Sequence, residues 1–256
     1  MSRAVIIAEP GSTHEGNITA MLRLVELAAD IGCGVFKNQW VSSPEELCSR
    51  RRAPEYLGAY RKISYPRVWH AVIADHCSML SLRYACSVYL PADAPVIEPY
   101  CDYLKCASFE AGDPEMFEAL WPYRRKTIVS FGMGGDSSSF GEFFARLHCI
   151  SAYPAPDDQM NLAAIRDRGF DGLSDHSKHP WTGALVVAAG ARIVEFHVRL
   201  DDTSPDNADY AVARTPEEAR AYVQHIREAE AMLGDGRQRV MEAEVGMLRY
   251  RVGISP

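Results

Sequence analysis

The sequence predicts an α/β fold, because eight short apolar segments rich in β-branched residues alternate with longer amphipathic segments. Strands that alternate with helices pair in parallel through helical crossovers. Eight such units in 256 residues match the size of a TIM (β/α)8 barrel, so we predict this barrel as a single domain over residues 1–256. A doubly wound open sheet is the alternative, but no GxGxxG motif follows any predicted strand.

The predicted strands are short, and each carries a polar residue at or near its end. They cover residues 4–9, 34–39, 81–88, 101–108, 126–132, 148–154, 170–176 and 192–198. The helices between them carry apolar residues at helical spacing, and Asp113 stands where it can cap one of them. The predicted helices cover residues 18–32, 65–80, 94–100, 113–123, 139–147, 160–169, 181–191 and 215–234.

The segment 40–64 shows no such pattern, and we predict a long polar connection there. Within it, the basic stretch SRRRAP (49–54) is too short to be a nucleic-acid-binding arm, so we interpret it as a solvated loop.

Charge and cysteine usage limit the class of protein. The formal net charge of −7 argues against non-specific binding to nucleic acid or to an anionic membrane, since both need a basic face. Seven cysteines stand singly without a CxxC pair, which is typical of reduced thiols in a cytoplasmic protein. No apolar run reaches the roughly 20 residues that span a bilayer, and the first residues do not resemble a signal peptide. We therefore expect a cytoplasmic protein with neither nucleic acid nor membrane as partner.

Polar residues close the predicted strands with unusual regularity. In a TIM barrel the active site lies at the carboxyl ends of the strands, so these side chains are the candidate site. An apolar barrel interior does not require them. They are Glu9, Lys37, Gln39, Ser87, Lys105, Ser108, Glu110, Ser130, Tyr153, Ser174, Asp175, His176, Glu195 and His197.

Two kinds of chemistry are indicated by these residue types. Lys37 and Lys105 end separate strands and together favour an anion such as phosphate or carboxylate, with the serines as further donors. His176 and His197 follow successive strands, and two imidazoles that meet there can hold a metal ion. Taken singly, each histidine is more often a structural residue, and Lys37 could be a surface lysine with a buried stem.

Several motifs resemble the sialic acid synthase family, the N-acetylneuraminate synthases and their relatives. The resemblance covers nearly the whole chain, and its strength lies in the order of the motifs. They are IIAEPGSTHEGN, VFKNQW, YLKCASFEAGD, TIVSFGMGG, LHCISAYPAPDDQMNL, LSDHS and EFHV.

This resemblance implies a reaction as well as a TIM barrel. Such enzymes condense phosphoenolpyruvate with an aldehyde sugar, typically N-acetylmannosamine or a relative, to form a 2-keto-3-deoxy acid with release of phosphate. It also implies a divalent cation, Mn²⁺ or Mg²⁺, and allows a homodimer. Two other classes stay open: a metal-dependent lyase or hydrolase, and a non-catalytic barrel that binds sugar phosphates.

The resemblance implies a role for each matching residue. The catalytic residues would be Glu9, Glu110, His176 and His197, of which the two histidines would also bind the metal. The phosphoenolpyruvate site would consist of Lys37, Ser87, Lys105, Ser108, Ser130, Asn161 and Ser174. The sugar would contact Gln39, Tyr153, Asp175 and Asp209.

Three departures from the family pattern concern the sugar. Thr13 replaces the asparagine of the family's Asn-His loop, and Asn38 replaces phenylalanine in the Lys-Phe-Gln strand end. We expect both to alter the sugar pocket. Family members usually continue into a C-terminal antifreeze-like domain, whereas this sequence ends at Pro256, so we expect that domain to be absent.

Overall fold

The computed structural model describes residues 3–253, so the predicted domain limits, 1 and 256, lie outside the described residues. Eight strands form a closed barrel in chain order, and every neighbouring pair is parallel, which confirms the predicted TIM barrel. The strands are β1 Val5–Glu9, β2 Val35–Trp40, β3 Arg83–Val88, β4 Tyr103–Cys106, β5 Thr127–Phe131, β6 Ala145–Cys149, β7 Gly172–Asp175 and β8 Ile193–His197.

Helices surround the barrel, and their ends follow ordinary capping rules. The Asn17 side chain accepts hydrogen bonds from the first turn of the helix over 18–30, and Thr215 forms a capping box with Glu218 at the start of the helix over 216–233. The helices are α1 Ile18–Asp30, α2 Pro44–Arg51, α3 Leu57–Lys62, α4 Trp69–Met79, α5 Ala94–Ile97, α6 Pro114–Leu120, α7 Ala164–Asp167, α8 Thr182–Ala188 and α9 Pro216–Leu233. Over residues 3–253, none of them is long and apolar enough to cross a membrane.

The sixth unit differs from the prediction. The structure forms no α-helix over 139–147, and β6 occupies Ala145–Cys149 instead of 148–154. Phe140 and Phe143 are buried against other aromatic rings rather than spaced along a helix face. Ala145 already pairs with Ile128 of β5, so strand pairing takes the residues that the helical pattern had claimed.

The polar connection over 40–64 was also wrong in part, because it contains α2 and α3. Ser43 caps α2 by accepting a hydrogen bond from the Glu46 backbone, and Pro44 occupies the first helical position. This Ser-Pro start is a recognisable signal for a helix. Because α2 carries few apolar residues, apolar spacing did not predict it.

The two-residue period of the strands places an apolar layer beneath a polar one inside the barrel. Ile7, Val35 and Ile193 belong to a buried cluster with Ala85, Ile128, Ala145 and Leu147. Two residues further along every strand except β6, the inward side chains become polar. They include Glu9, Lys37, Ser87, Lys105, Ser130, Ser174 and Glu195, all of them buried. The apolar layer closes the barrel from below and leaves the polar layer as the floor of a cavity.

Candidate active site

A cavity of about 670 Å³ opens at the carboxyl ends of the strands. All predicted site residues except Glu110, Asn161 and Asp175 line it. They are Glu9, Lys37, Gln39, Ser87, Lys105, Ser108, Ser130, Tyr153, Ser174, His176, His197 and Asp209. The structure therefore brings together side chains from every strand of the barrel except β6, from which Tyr153 follows in the next loop.

Lys37 is fixed on the cavity floor by short polar contacts. Its Nζ atom lies 2.6 Å from Glu9 Oε1 and donates a hydrogen bond of 2.7 Å to Ser87 Oγ. Gln39 donates to the same Glu9 oxygen at 2.7 Å. Burial would raise the pKa of Glu9, but Lys37, His197 and Lys105 hold it well below its usual range. Glu9 is therefore a carboxylate.

Glu195 joins the two lysines; it was among the polar residues that close the strands, but the family resemblance implied no role for it. Its Oε1 atom accepts hydrogen bonds from Lys105 Nζ at 3.0 Å and from Ser174 Oγ at 2.6 Å, while Oε2 lies 3.7 Å from Lys37 Nζ. Burial would raise the pKa of Glu195, but Lys105 and Lys37 lower it. Two lysines and two carboxylates thus face one another on the floor. In the sequence, the position of Glu195 two residues before His197 places both side chains on the same face of β8.

One ring nitrogen of His176 is held by a carbonyl oxygen, and the other keeps a lone pair for a ligand. Its Nδ1 atom lies 2.7 Å from the carbonyl oxygen of Ile150, and a carbonyl only accepts, so Nδ1 carries the proton and Nε2 the lone pair. Nε2 lies 3.4 Å from Ser174 Oγ, but that hydroxyl donates its one proton to Glu195 Oε1, so the lone pair stays available. Burial, helped by His197, lowers the pKa of His176 to about 4. A buried neutral imidazole with one nitrogen fixed by a carbonyl is the usual state of a metal ligand.

His197 completes a pair of imidazoles above the floor. The ring centroids of His176 and His197 are 5.6 Å apart. His197 Nε2 lies 3.5 Å from Glu9 Oε2, and Nδ1 lies 3.6 Å from Asp209 Oδ1, with no hydrogen-bond partner in the described chain. Both distances are longer than an ordinary hydrogen bond, so neither ring nitrogen is firmly bound to these carboxylates.

These residues fit a divalent cation as a partial ligand set. No group of three His, Cys, Asp or Glu side chains within residues 3–253 is gathered closely enough to hold an ion by itself. The two imidazoles can supply two nitrogen ligands, and Glu9 has the nearest carboxylate oxygen. An open set of this kind leaves positions for water or a substrate oxygen, which a catalytic metal needs.

Asp209 is held at the cavity wall by the loop after β1. Ser12 donates to Asp209 Oδ2 through its backbone N–H at 2.7 Å and through its hydroxyl at 2.6 Å. Gly11, with a φ of +56°, lies so close that a Cβ atom there would be 2.6 Å from the same oxygen. Glycine is therefore required at this position for the carboxylate to reach the loop.

Asp175 points out of the barrel, so the prediction that it contacts the sugar is wrong. Ser174 and His176 face inward, and the residue between them must face the helices. Asp175 Oδ2 accepts hydrogen bonds from Arg214 at 3.1 Å and from the Tyr222 hydroxyl at 2.6 Å. It therefore joins β7 to α9 as a structural residue.

We expect Asp175→Asn to lower the free energy of unfolding by about 3 kcal/mol, because it leaves the buried Arg214 uncompensated. Chemical denaturation measures this loss, and ligand binding to the folded variant should match the wild type. Asp201→Asn, at an exposed position, is the control and should unfold like the wild type. A variant as stable as the control would contradict the structural role.

The other corrections concern residues near the predicted sugar pocket. Asn161 is exposed, has a φ of +47° and does not line the cavity, so its predicted contact with phosphoenolpyruvate is not supported by its position. Asn38 faces outward and hydrogen bonds with Tyr65 and Tyr84. The Thr13 hydroxyl donates to the Val198 carbonyl. Neither Thr13 nor Asn38 lines the cavity, which corrects the expectation that both shape a sugar pocket.

Part of the cavity wall comes from α2 and α3, in the segment predicted as a polar connection. Arg50, Arg51 and Tyr60 line the cavity from there. The Arg51 side chain is only 17% exposed, so the prediction of a solvated loop at SRRRAP is wrong for this residue. The sequence shows the positive charge of Arg51 but not that the side chain turns toward the cavity.

Glu110 lies behind this wall, in contact with Arg51. It is buried, and Arg51 Nε donates to its Oε1 atom at 2.7 Å. Burial raises the pKa of Glu110 to about 7, although Arg51 opposes this shift. A carboxyl group that changes its charge near neutral pH is suited to the predicted proton transfer, but Glu110 itself does not line the cavity.

Comparisons with known proteins agree with this geometry. The NeuB family profile matches residues 24–238. The pseudaminic acid synthase of Campylobacter jejuni strain 81-176 is 28% identical over 263 residues, which cover 92% of this chain and 76% of that protein. The human N-acetylneuraminate-9-phosphate synthase is 25% identical over 276 residues, covering 94% of this chain and 74% of that enzyme.

A solved structure shows the same fold. It is the N-acetylneuraminic acid synthetase of Leptospira borgpetersenii serovar Hardjo-bovis in complex with citrate, with a TM-score of 0.86 and 23% identity. The superposition covers 98% of this chain and 92% of that one. Because the family profile spans most of a barrel whose strand ends carry the family's motifs, the chain belongs to the NeuB family.

Proposed function

We propose that this protein condenses phosphoenolpyruvate with an aldehyde sugar, forming a 2-keto-3-deoxy acid and releasing phosphate. The observation that carries the proposal is the buried floor of the cavity, where Lys37 and Lys105 are fixed by carboxylates and serines. Paired cations with hydroxyl donors beside them suit a ligand that carries both a phosphate and a carboxylate. Membership of the NeuB family supports the same reaction.

The two lysines on the cavity floor are held in position before an anion binds. Glu9 and Glu195 hold the two ammonium groups in place, so little reorganisation is needed when phosphate and carboxylate oxygens bind. Ser130 is buried and its hydroxyl has no hydrogen-bond partner among the described residues. We assign it a hydrogen bond to the bound anion.

His176 and His197 would hold a divalent cation, with Glu9 beside them. When bound, such a cation acts as a Lewis acid on the aldehyde carbonyl. Imidazole ligands favour Mn²⁺, whereas a larger share of oxygen ligands would favour Mg²⁺. The Tyr153 ring lies with its centroid 4.2 Å from that of His176 and shields the pair from solvent on one side.

In the proposed reaction, carbon 3 of phosphoenolpyruvate forms a bond to the aldehyde carbon, and the aldehyde oxygen takes up a proton. Positive charge develops at carbon 2, where the carboxylates of Glu9 and Glu195 on the floor stabilise it. Water adds to carbon 2 and loses a proton, and the tetrahedral intermediate expels phosphate to leave the keto group. Glu110 would take part in the proton transfers.

The acceptor would contact the upper part of the cavity. Gln39 and Asp209 offer an amide and a carboxylate to sugar hydroxyls, and Tyr153 offers a ring face. We propose an acceptor resembling N-acetylmannosamine. Relatives of this chain are named for different products, pseudaminic acid and N-acetylneuraminate 9-phosphate among them, so the acceptor panel must include several N-acylated and phosphorylated sugars.

The test is phosphate release from phosphoenolpyruvate in the presence of Mn²⁺ or Mg²⁺ and a panel of aldoses. We expect release that depends on one aldose, with the condensed acid detected by mass spectrometry. Release without any aldose would indicate a hydrolase. Binding of phosphoenolpyruvate without release, across the panel, would indicate a barrel that binds sugar phosphates without catalysis.

A further inference from the structure

The guanidinium group of Arg51 lies in a cage of three aromatic rings at the cavity wall. Its Cζ atom is 4.8 Å from the centroid of the Tyr89 ring, 4.8 Å from that of Phe109 and 5.5 Å from that of Tyr60. Cations within about 6 Å of a ring centroid are attracted by the ring face. The rings follow β3, follow β4 and belong to α3, so three separate segments hold one cation in place.

The same guanidinium group contacts only one of the two oxygen atoms of the Glu110 carboxyl group. Arg51 Nε donates to Glu110 Oε1 at 2.7 Å, and Nη2 lies 2.6 Å from that same oxygen. The third nitrogen, Nη1, donates to the Tyr60 hydroxyl at 3.1 Å. Glu110 Oε2 is buried and has no hydrogen-bond partner within residues 3–253. One oxygen of the carboxyl group is thus occupied and the other is left free.

We propose that Arg51 is a positioning residue: held by the aromatic cage, it engages Oε1 of Glu110 and leaves Oε2 as the oxygen that exchanges the proton. This inference rests on the proposed function, in which Glu110 takes part in proton transfer. Ser108 and Phe109 line the cavity just before Glu110 in the chain, so the carboxyl group lies directly behind this part of the wall.

The charges around Glu110 determine how removal of Arg51 should act. Arg51 faces it from α2, Asp113 lies in the same turn, Tyr89 follows β3 and Cys106 ends β4. Arg51 is the cation of this set, and it opposes the rise that burial imposes on the pKa of Glu110. Without it, the carboxyl group should hold its proton to higher pH.

The first measurement is the pH profile of kcat for wild type, Arg51→Met and Arg51→Lys. We expect kcat of Arg51→Met to fall about tenfold or more at the wild-type optimum. The limb of the pH profile near pH 7, which we assign to Glu110, should move to higher pH by about one pH unit. The limb moves in this direction whether the ionised or the protonated carboxyl group is active. Arg51→Lys, which keeps the charge, should restore part of both effects.

A second variant tests whether Arg51 acts through Glu110. Glu110→Gln should abolish the limb, and adding Arg51→Met to it should cost little more. A full, independent loss in the double variant, or a loss in Arg51→Met without a shifted limb, would overturn the proposal. Arg61→Met is the matched control, since Arg61 pairs with Glu45 on the exposed side of the same segment. It should leave the profile unchanged.

Titration of the Glu110 carboxyl carbon by ¹³C NMR needs no turnover and separates this inference from the proposed function. We expect its midpoint to rise in Arg51→Met relative to wild type. An unchanged midpoint would refute the positioning role even in an active synthase. A raised midpoint in a protein that releases no phosphate would support the role of Arg51 and refute the synthase function.

Discussion

Replacing His176 or His197 with alanine is expected to reduce kcat by about a thousandfold, which corresponds to about 4 kcal/mol of transition-state stabilisation. The centroids of the two rings are 5.6 Å apart in an edge-to-face arrangement at the ends of neighbouring strands, and Nε2 of His176 keeps its lone pair. Either imidazole alone would hold a divalent cation poorly. Steady-state kinetics with Mn²⁺ or Mg²⁺ measure the effect on turnover.

A direct readout of binding keeps this prediction apart from the reaction itself. Electron paramagnetic resonance of Mn²⁺ should show the ion bound by the wild type and released by both variants, without any substrate. His179→Ala is the control, because His179 lies three residues beyond His176 and outside the cavity. Turnover near the wild-type rate in a metal-stripped variant would show that the histidines do not bind a catalytic ion.

Lys105→Met is expected to raise the KM for phosphoenolpyruvate by about a hundredfold, roughly 3 kcal/mol, with a much smaller change for the aldehyde. Lys105 is buried; burial would lower its pKa, but Glu195 and Glu9 raise it, so it is a cation at neutral pH. Its loss removes one of two charges that face the anion. Initial rates with each substrate varied in turn measure both constants, and an equal rise in the two would refute the anion site.

Lys105→Met also leaves Glu195 with only Lys37 as a cationic partner, at 3.7 Å, so the variant should be less stable. Adding Glu195→Gln restores the balance of charge on the floor. We expect the double variant to regain stability in chemical denaturation but not affinity for phosphoenolpyruvate. Lys126→Met, at an ion-paired lysine just before β5, is the control and should leave both KM values unchanged.

The sequence by itself determined the barrel and most of its floor. Alternating strands and helices are local patterns, and the polar residue that ends each strand is visible without knowing its neighbours. Once the strands are parallel, the two-residue period must turn Glu9, Lys37 and Lys105 to the same interior. Likewise, the capping residues Ser43 and Pro44 could have revealed α2, because helix starts are also local signals.

Only the tertiary structure decided which of these polar residues share a contact. Asp175 stands next to His176 in the chain; the strand period turns it outward, but only the tertiary structure gives it Arg214 as a partner. Glu195 meets Lys105 across a sequence separation of 90 residues, and Arg51 meets Glu110 across 59. Such pairings depend on the register of eight strands and on where α2 packs, and no local pattern encodes either. The partner of each polar side chain, and hence its role, was therefore set when the barrel closed.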